Sequence, residues 1–331
     1  MTDGDELSEE ANERIFREQI VPMFLTGAPS QDRPVVVIVG SQTGGGKTQI
    51  TRMVKQALGQ HGSFININMD FYNPLHPKYH QWRAQDESTA SAKVRPDGER
   101  WWEKAQAYAI EHRCHVVLES AMFHRSEFED IARRFNAGGF QVEAALVAVP
   151  ASLSRLGILD RYWSEVREVG HGRLIDPAIH DACYAGVERG AAAIDEGTLA
   201  HSAFVFRRNG EVVYANHLTA DGSWAAPPRM AAAVTDERHR PWTASEQAWF
   251  SGRITALRAD ISVGWHVEVD RIQALATPLM SPVGRAQAAQ LRSATAPRHD
   301  LRRTSSPQPA LPPGRSPHPT IKPTGRNAHG R

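Results

Sequence analysis

The sequence predicts a three-layer α/β fold in which helices cover both faces of a mostly parallel sheet, followed by C-terminal helices and a disordered tail. Three observations carry this. Four short apolar runs, at 35–39, 64–70, 115–120 and 142–149, alternate with stretches of helical periodicity, the pattern of right-handed crossovers between parallel strands. The first run, VVVIV, is five β-branched residues in a row, as expected of a strand buried on both faces. Eight of the 21 prolines crowd into the last 40 residues, where large apolar side chains are scarce and no core can form.

The elements follow in order. Residues 1–7 are expected to fray. Ser8, with Glu9 and Glu10 behind it, starts a helix whose acids face the positive end of the helix dipole. Ile15, Phe16, Ile20 and Val21 give its apolar face, and Pro22 lies near its end. After the first strand, a helix following Lys47 presents Ile50, Met53, Val54 and Leu58 and closes at Gly59 and Gly62. FININMD at 64–70 is the second strand. A polar stretch then leads to a helix at about 99–113. HVVLES at 115–120 and VEAALVAV at 142–149 are the third and fourth strands, separated by a helix at about 126–137. Helices at 151–169 and 177–196 precede AFVFRR and EVVYAN, which flank Asn209-Gly210, a strong hairpin signal. Thr243-Ala244-Ser245-Glu246 is a capping box opening a helix that carries Trp249, Phe250, Ile254 and Leu257. Weak helical pattern runs on to about 292. The expected organisation is a main domain over 8–220, a mainly helical extension over 221–291, and the tail over 292–331.

Charge and composition narrow the classes of function. The formal net charge is +1, but residues from 292 onward contribute +7 and the body −6. Such a body has no nucleic-acid footprint. No run approaches 18 apolar residues, so no membrane span is expected, and the acidic, polar N-terminus is no signal peptide. Cys114 and Cys183 sit in apolar stretches without a CxxC spacing; they are expected to be buried free thiols in a cytoplasmic protein. The 15 histidines show no metal-binding spacing. Trp82, Trp101 and Trp102 fit core packing better than a sugar or base pocket.

The sharpest signal is VVVIVGSQTGGGKTQI: a buried strand, a glycine-rich loop, Lys-Thr and a helix. This is the context of a phosphate-binding loop. Gly40, Gln42, Thr43, Gly44, Gly45 and Gly46 line the loop, glycines letting successive amides face a phosphate. The helix N-terminus adds partial positive charge. Lys47 would reach the β- and γ-phosphates of ATP, and Thr48 would hold Mg²⁺. The strict pattern has glycine at 41, where this chain has Ser41; a left-handed backbone there would cost serine about 1 kcal/mol. No NKxD base-reading motif follows. Instead Asp70 closes the second strand, where a carboxylate at the carboxyl edge of the sheet can take the proton of an acceptor hydroxyl during phosphoryl transfer. Glu119 closes the third strand, in the usual place of a magnesium-associated or substrate-holding acid. Together these features predict an ATP-dependent kinase for a small molecule.

Four segments in order resemble the zeta toxin family: ERIFREQIVPMFL, GSQTGGGKT, MDFYNPLHPKY and LESAM. The family's loop usually reads GGQPGAGKT, so Gln42 matches while Ser41 and Thr43 depart. Asp70, His76, Pro77 and Tyr79 match its acid-plus-HPxY stretch. The resemblance, over roughly 10–220, implies a P-loop kinase fold and phosphorylation of the 3′-hydroxyl of UDP-N-acetylglucosamine, poisoning cell-wall synthesis. It implies Asp70 as catalytic base, Lys47 and Thr48 as phosphate and magnesium residues, and Glu119 as a substrate-holding acid. Ser120 stands next to Glu119, and Ala121 replaces a family threonine. The resemblance further implies two phosphate-clamping arginines, best matched by Arg161 and Arg173, and a small helical antitoxin as a separate partner chain. Two other readings stay open: a kinase for another hydroxylated metabolite or an antibiotic, and a nucleotide-binding module without catalysis.

Overall fold

A computed structural model describes residues 6–281, apart from residues 125 and 171 and the side chains of residues 87 and 88. The chain divides into a unit over Met1–Ala294 and a short unit over Thr295–Arg331. The second unit, and with it the expected tail over 292–331, lies outside the described residues, as do residues 1–5. Leu7, expected to fray, donates its amide to Asp97 at 3.2 Å and accepts from Arg100 at 2.8 Å.

Six strands form one sheet in the order β2-β3-β1-β4-β5-β6. They are β1 (Val35–Gly40), β2 (Phe64–Ile67), β3 (His115–Ser120), β4 (Gln141–Val147), β5 (Ser202–Phe206) and β6 (Val212–His217). The first five are parallel, and β6 returns antiparallel to β5 around Gly210 at φ +92°. The fold is of the P-loop kinase kind. Strand β1 shows why VVVIV must be apolar throughout. Val36 and Ile38 enter one core and Val37 and Val39 the opposite one, the period-2 alternation of a strand covered on both faces. Helix α2 (Lys47–Gly59) covers the second face through Ile50 and Leu58. The first face is covered by α1 (Glu9–Ile15) with the π-type helix Phe16–Leu25 that continues it, by α4 (Glu87–Glu111), α5 (Glu127–Ala137) and α7 (Pro177–Glu196). Helix α3 (Tyr79–Gln85) lies between the second strand and α4.

Four expectations need correction. The helix expected at about 99–113 begins at residue 87 and passes through Pro96. Its buried residues Val94, Asp97 and Trp101 are spaced for one helical face, and Asp97 is polar, which hid the pattern. Strand β2 ends at Ile67 rather than at Asp70. Asn68 accepts the Asp70 amide at 3.0 Å and folds 69–71 into a 3₁₀ turn, the local competition that asparagine offers a strand. The fourth strand stops at Val147, two residues short of the expected end. Trp249 does not share the face of Phe250, Ile254 and Leu257: those three are buried, whereas it is 54% exposed, one residue and about 100° around the helix.

Trp82 and Trp101 are buried in the main core, and Trp101 donates to the Asn12 carbonyl at 2.9 Å. Both cysteines are buried and free; burial pushes the Cys183 thiol up to about 11. Among the described residues no helix is long and apolar enough to cross a membrane.

The C-terminal residues take two roles. Helix α8 (Met230–His239) joins the main core through Met230 and Val234, its first amides capped by Asp195 at 2.7 and 2.8 Å. Helices α9 (Ala244–Asp260) and α10 (His266–Ala276) build a separate cluster against α6 (Ala151–Val169). The capping box at Thr243 forms as expected. Arg240 binds Glu246 and, with the Thr243 cap, holds that carboxyl at about 2.

Phe250→Ala is expected to cost about 3–5 kcal/mol in urea unfolding, and Trp249→Ala no more than about 0.5 kcal/mol. Equal effects would contradict the face assigned to α9.

Candidate active site

The site lies at the carboxyl end of β1, where its neighbours β3 and β4 lead to opposite edges of the sheet, the position at which α/β sheets bind ligands. Gly40 ends β1 in a crowded place: a Cβ there would push against the side-chain ends of Met122 and Leu146, which would have to shift. Ser41 and Gln42 are buried. Gly44 and Gly46 take left-handed φ of +74° and +85°, which glycine adopts without penalty. Ser41 does not: among the described residues only Arg113 and Met122 combine a side chain with positive φ. The anticipated cost at Ser41 is therefore absent. Its amide donates to the Ser120 carbonyl at 3.3 Å and its hydroxyl to the Gln42 carbonyl at 3.1 Å. The Gly45 amide closes the turn onto the same carbonyl at 3.1 Å.

Helix α2 starts at Lys47 with Gly46 as N-cap. No side chain caps it, and no acid stands in its first turn. Its leading amides and its positive dipole end are thus left for an anion. This fits the triphosphate of a nucleotide, with Lys47 at the helix start and Thr48 exposed beside it for a magnesium ion. The Lys47 ammonium donates to the Ser120 carbonyl at 3.3 Å and lies 4.0 Å from the Glu119 carboxylate, which puts Glu119 on the loop's side of β3.

The Ser120 hydroxyl has other work. It is buried, donates to the Glu127 carboxylate and accepts the Met122 amide at 2.8 Å. Its carbonyl, not its hydroxyl, serves the loop. Met122 turns left-handed at φ +57° and packs against Gly40 and Gly186, so the turn after Glu119 is set by two glycines far away in sequence. The Thr43 hydroxyl is buried without a hydrogen-bond partner among the described residues.

Asp70 stands on its 3₁₀ turn with its side chain 57% exposed, paired to Arg173 at 3.2 Å. Partial desolvation pushes its carboxyl up. The charges of Arg173, Lys47 and Arg161 outweigh that and hold it below the ordinary carboxylate range. All three cations thus lie within electrostatic reach of Asp70. Arg161 is exposed on α6. Arg173 follows the left-handed Gly170 that caps α6, and its amide donates to Glu165 at 2.8 Å. Gly172 between them is pressed against the Tyr162 carbonyl, where a Cβ would overlap. Both arginines are thus referenced to one helix. His76 of the HPxY stretch points away into the core, 3.3 Å from Asp97 and stacked on Trp82.

Two cations behind the loop escaped the sequence reading. Arg208, in the β5–β6 hairpin, donates to Leu153 at 3.1 Å and Gly44 at 3.4 Å. Arg238 of α8 donates to the Gln42 side chain at 3.3 Å. Neither falls in a motif, and their loop contacts lie 164 and 196 residues away in sequence.

Comparison with known proteins places the chain in a family and a fold. The zeta toxin family profile matches residues 24–219. The toxin PezT of Streptococcus pneumoniae serotype 4 is 26% identical over 136 residues, 41% of this chain and 53% of that one; the alignment thus spans about half the length of that relative. A chain from the structural study of the PezAT chromosomal toxin–antitoxin system of S. pneumoniae superposes with a TM-score of 0.64 at 16% identity, covering 77% of this chain and 99% of that chain. The likeness is one of fold.

Because Asp70 titrates below its ordinary range, its carboxylate persists as pH falls until that depressed value is passed. Removing the first charge that lowers it, by Arg173→Ala, is expected to move its titration upward, read as the Asp70 carboxyl carbon shift by NMR. An unchanged or lower value would dissolve the assigned pairing.

Proposed function

Because the chain belongs to the zeta toxin family, we propose that it is an ATP-dependent kinase that phosphorylates the 3′-hydroxyl of UDP-N-acetylglucosamine and acts as the toxin of a toxin–antitoxin pair. The observation that carries the reading is the convergence of Lys47, Asp70, Arg161 and Arg173 on one mouth of the sheet. The loop amides and Lys47 bind the β- and γ-phosphates. Arg161 and Arg173 clamp the transferred group, whose charge is spread over three oxygens in a loose transition state. Asp70 takes the proton of the acceptor hydroxyl while that oxygen bonds to the γ-phosphorus and the bridge to the β-phosphate breaks, releasing ADP. Glu119 holds the acceptor or the metal shell. Thr48 would hold Mg²⁺, which when bound neutralises phosphate charge. The partner would be a small helical antitoxin on a separate chain.

The acceptor side favours one second reading. Ala121 stands where the family has threonine, and the Ser120 hydroxyl is engaged by Glu127, so the acceptor is offered fewer hydroxyl donors than a typical member provides. Another hydroxylated small molecule is then the substrate, with the same phosphoryl transfer.

Incubation with ATP, Mg²⁺ and UDP-N-acetylglucosamine should add one phosphate's mass to the sugar nucleotide. Gain on a different alcohol instead selects the second reading, and no gain on any acceptor removes both. Lys47→Ala should weaken ATP binding by about 10- to 100-fold, the equivalent of the ~1.5–3 kcal/mol of a hydrogen bond to a charged group. Asp70→Asn should bind ATP normally and lose about 10²–10⁴-fold in transfer rate; near wild-type turnover would take the base role from Asp70.

A further inference from the structure

We infer that Arg238 is a positioning residue for the phosphate loop, acting through the side chain of Gln42. Arg238 lies on α8, beyond residue 219 where the family match ends. Its side chain is fully buried, an expensive place for a guanidinium unless its donors are used. Four contacts surround it. The plane stacks on the Tyr184 ring with 3.6 Å to the centroid, one Nη lies 3.0 Å from the Glu188 carboxylate, and the other donates to the Tyr184 carbonyl at 3.0 Å and to Gln42 Oε1 at 3.3 Å.

The contact to Gln42 has a directional consequence. A guanidinium only donates, so the oxygen of the carboxamide must face Arg238. Its nitrogen is then turned to the Val149 carbonyl, to which it donates at 2.8 Å. Val149 stands between β4 and α6. Gln42 is thereby pinned at both ends of its amide, between α8 and the start of α6. The main-chain carbonyl of the same residue accepts from the Ser41 hydroxyl and the Gly45 amide. The orientation of one buried amide is thus carried into the turn that aims the loop's amides. Helix α8 is itself anchored for the task, by Asp195 at its N-terminus and by Glu237, which pairs with Arg207 of the hairpin at 2.9 Å.

The consequence for phosphoryl transfer rests on the kinase reading; the loop geometry does not. Two measurements on the full chain separate them. The first is amide hydrogen exchange at Gly45 without nucleotide, for Arg238→Met, Gln42→Ala and the double variant. Each single change is expected to speed exchange about tenfold, and the double variant no more than about twofold beyond the faster single, as for two residues on one route. The second is the Kd for ATP of the same proteins, expected to weaken about tenfold with the same non-additivity. Exchange at Gly45 unchanged in a folded Arg238→Met protein, or effects that simply multiply in the double variant, would overturn the inference. If Arg238→Met does not fold, Arg238→Lys takes its place, since it keeps a cation near Glu188 but lacks the fork that reaches Gln42. Wild-type protein that binds no ATP, with the exchange pattern as expected, defeats the kinase reading and leaves the positioning role standing.

Discussion

The site depends on two backbones coming closer than side chains permit. At Gly44 the phosphate loop lies against the carbonyl of Ser154 on α6, and a Cβ there would overlap it. From the helix side, Gly157 leaves room for the Gly44 carbonyl. Glycine is needed at 44 twice over, for this approach and for a φ of +74°. The contact locks α6 to the loop, and α6 carries the rest of the arrangement. Arg161 is on it. Its end turns through Gly170 and Gly172 to deliver Arg173. The distance from loop to arginines is thus set by one helix that cannot retreat from the loop.

Charge explains why these groups tolerate one another. Lys47, Arg161 and Arg173 outnumber the acids Asp70 and Glu119 that face them. Lys47 is steadied by the Ser120 carbonyl and Glu119 rather than by a full ion pair. Arg173 rests on Asp70, a partner that is more than half exposed and therefore binds it weakly. Weak, partial pairing suits cations that are to exchange their partners for phosphate oxygens in the proposed transfer. Arg238 behind the loop follows the opposite rule. Its own side chain is fully buried, stacked on Tyr184 and paired with the partly exposed Glu188, and a cation held out of solvent in this way fixes a geometry rather than exchanging partners.

How much was legible depends on how local the cause was. The phosphate loop was readable because its chemistry is contiguous: strand, glycines, Lys47-Thr48 and helix occur within sixteen residues. The capping box at Thr243 and the turn at Asn209-Gly210 were readable for the same reason. Asp70 was found, but on the wrong element, because the Asn68 side chain ends the strand before it. The beginning of α4 was missed because its inward face includes Asp97, satisfied by Asn12, His76, Leu7 and Arg100. A buried acid looks like a surface residue until its partners are known. Whether Ser41 is strained depends on its backbone dihedral, which a motif pattern does not contain and the fold keeps out of the left-handed region.

By itself the sequence determined the order of the strands, most of the helices between them, the glycine-rich loop and Glu119 near the end of the third strand, since each is written in neighbouring residues through β-branching, helical period or glycine. Tertiary structure alone decided which strands are neighbours, where Arg173 meets Asp70, and that Arg208 and Arg238 stand behind the loop. The arginine contacts to Asp70 and to the loop join residues more than a hundred positions apart, and no local propensity encodes a distance that only the assembled sheet and its packed helices create.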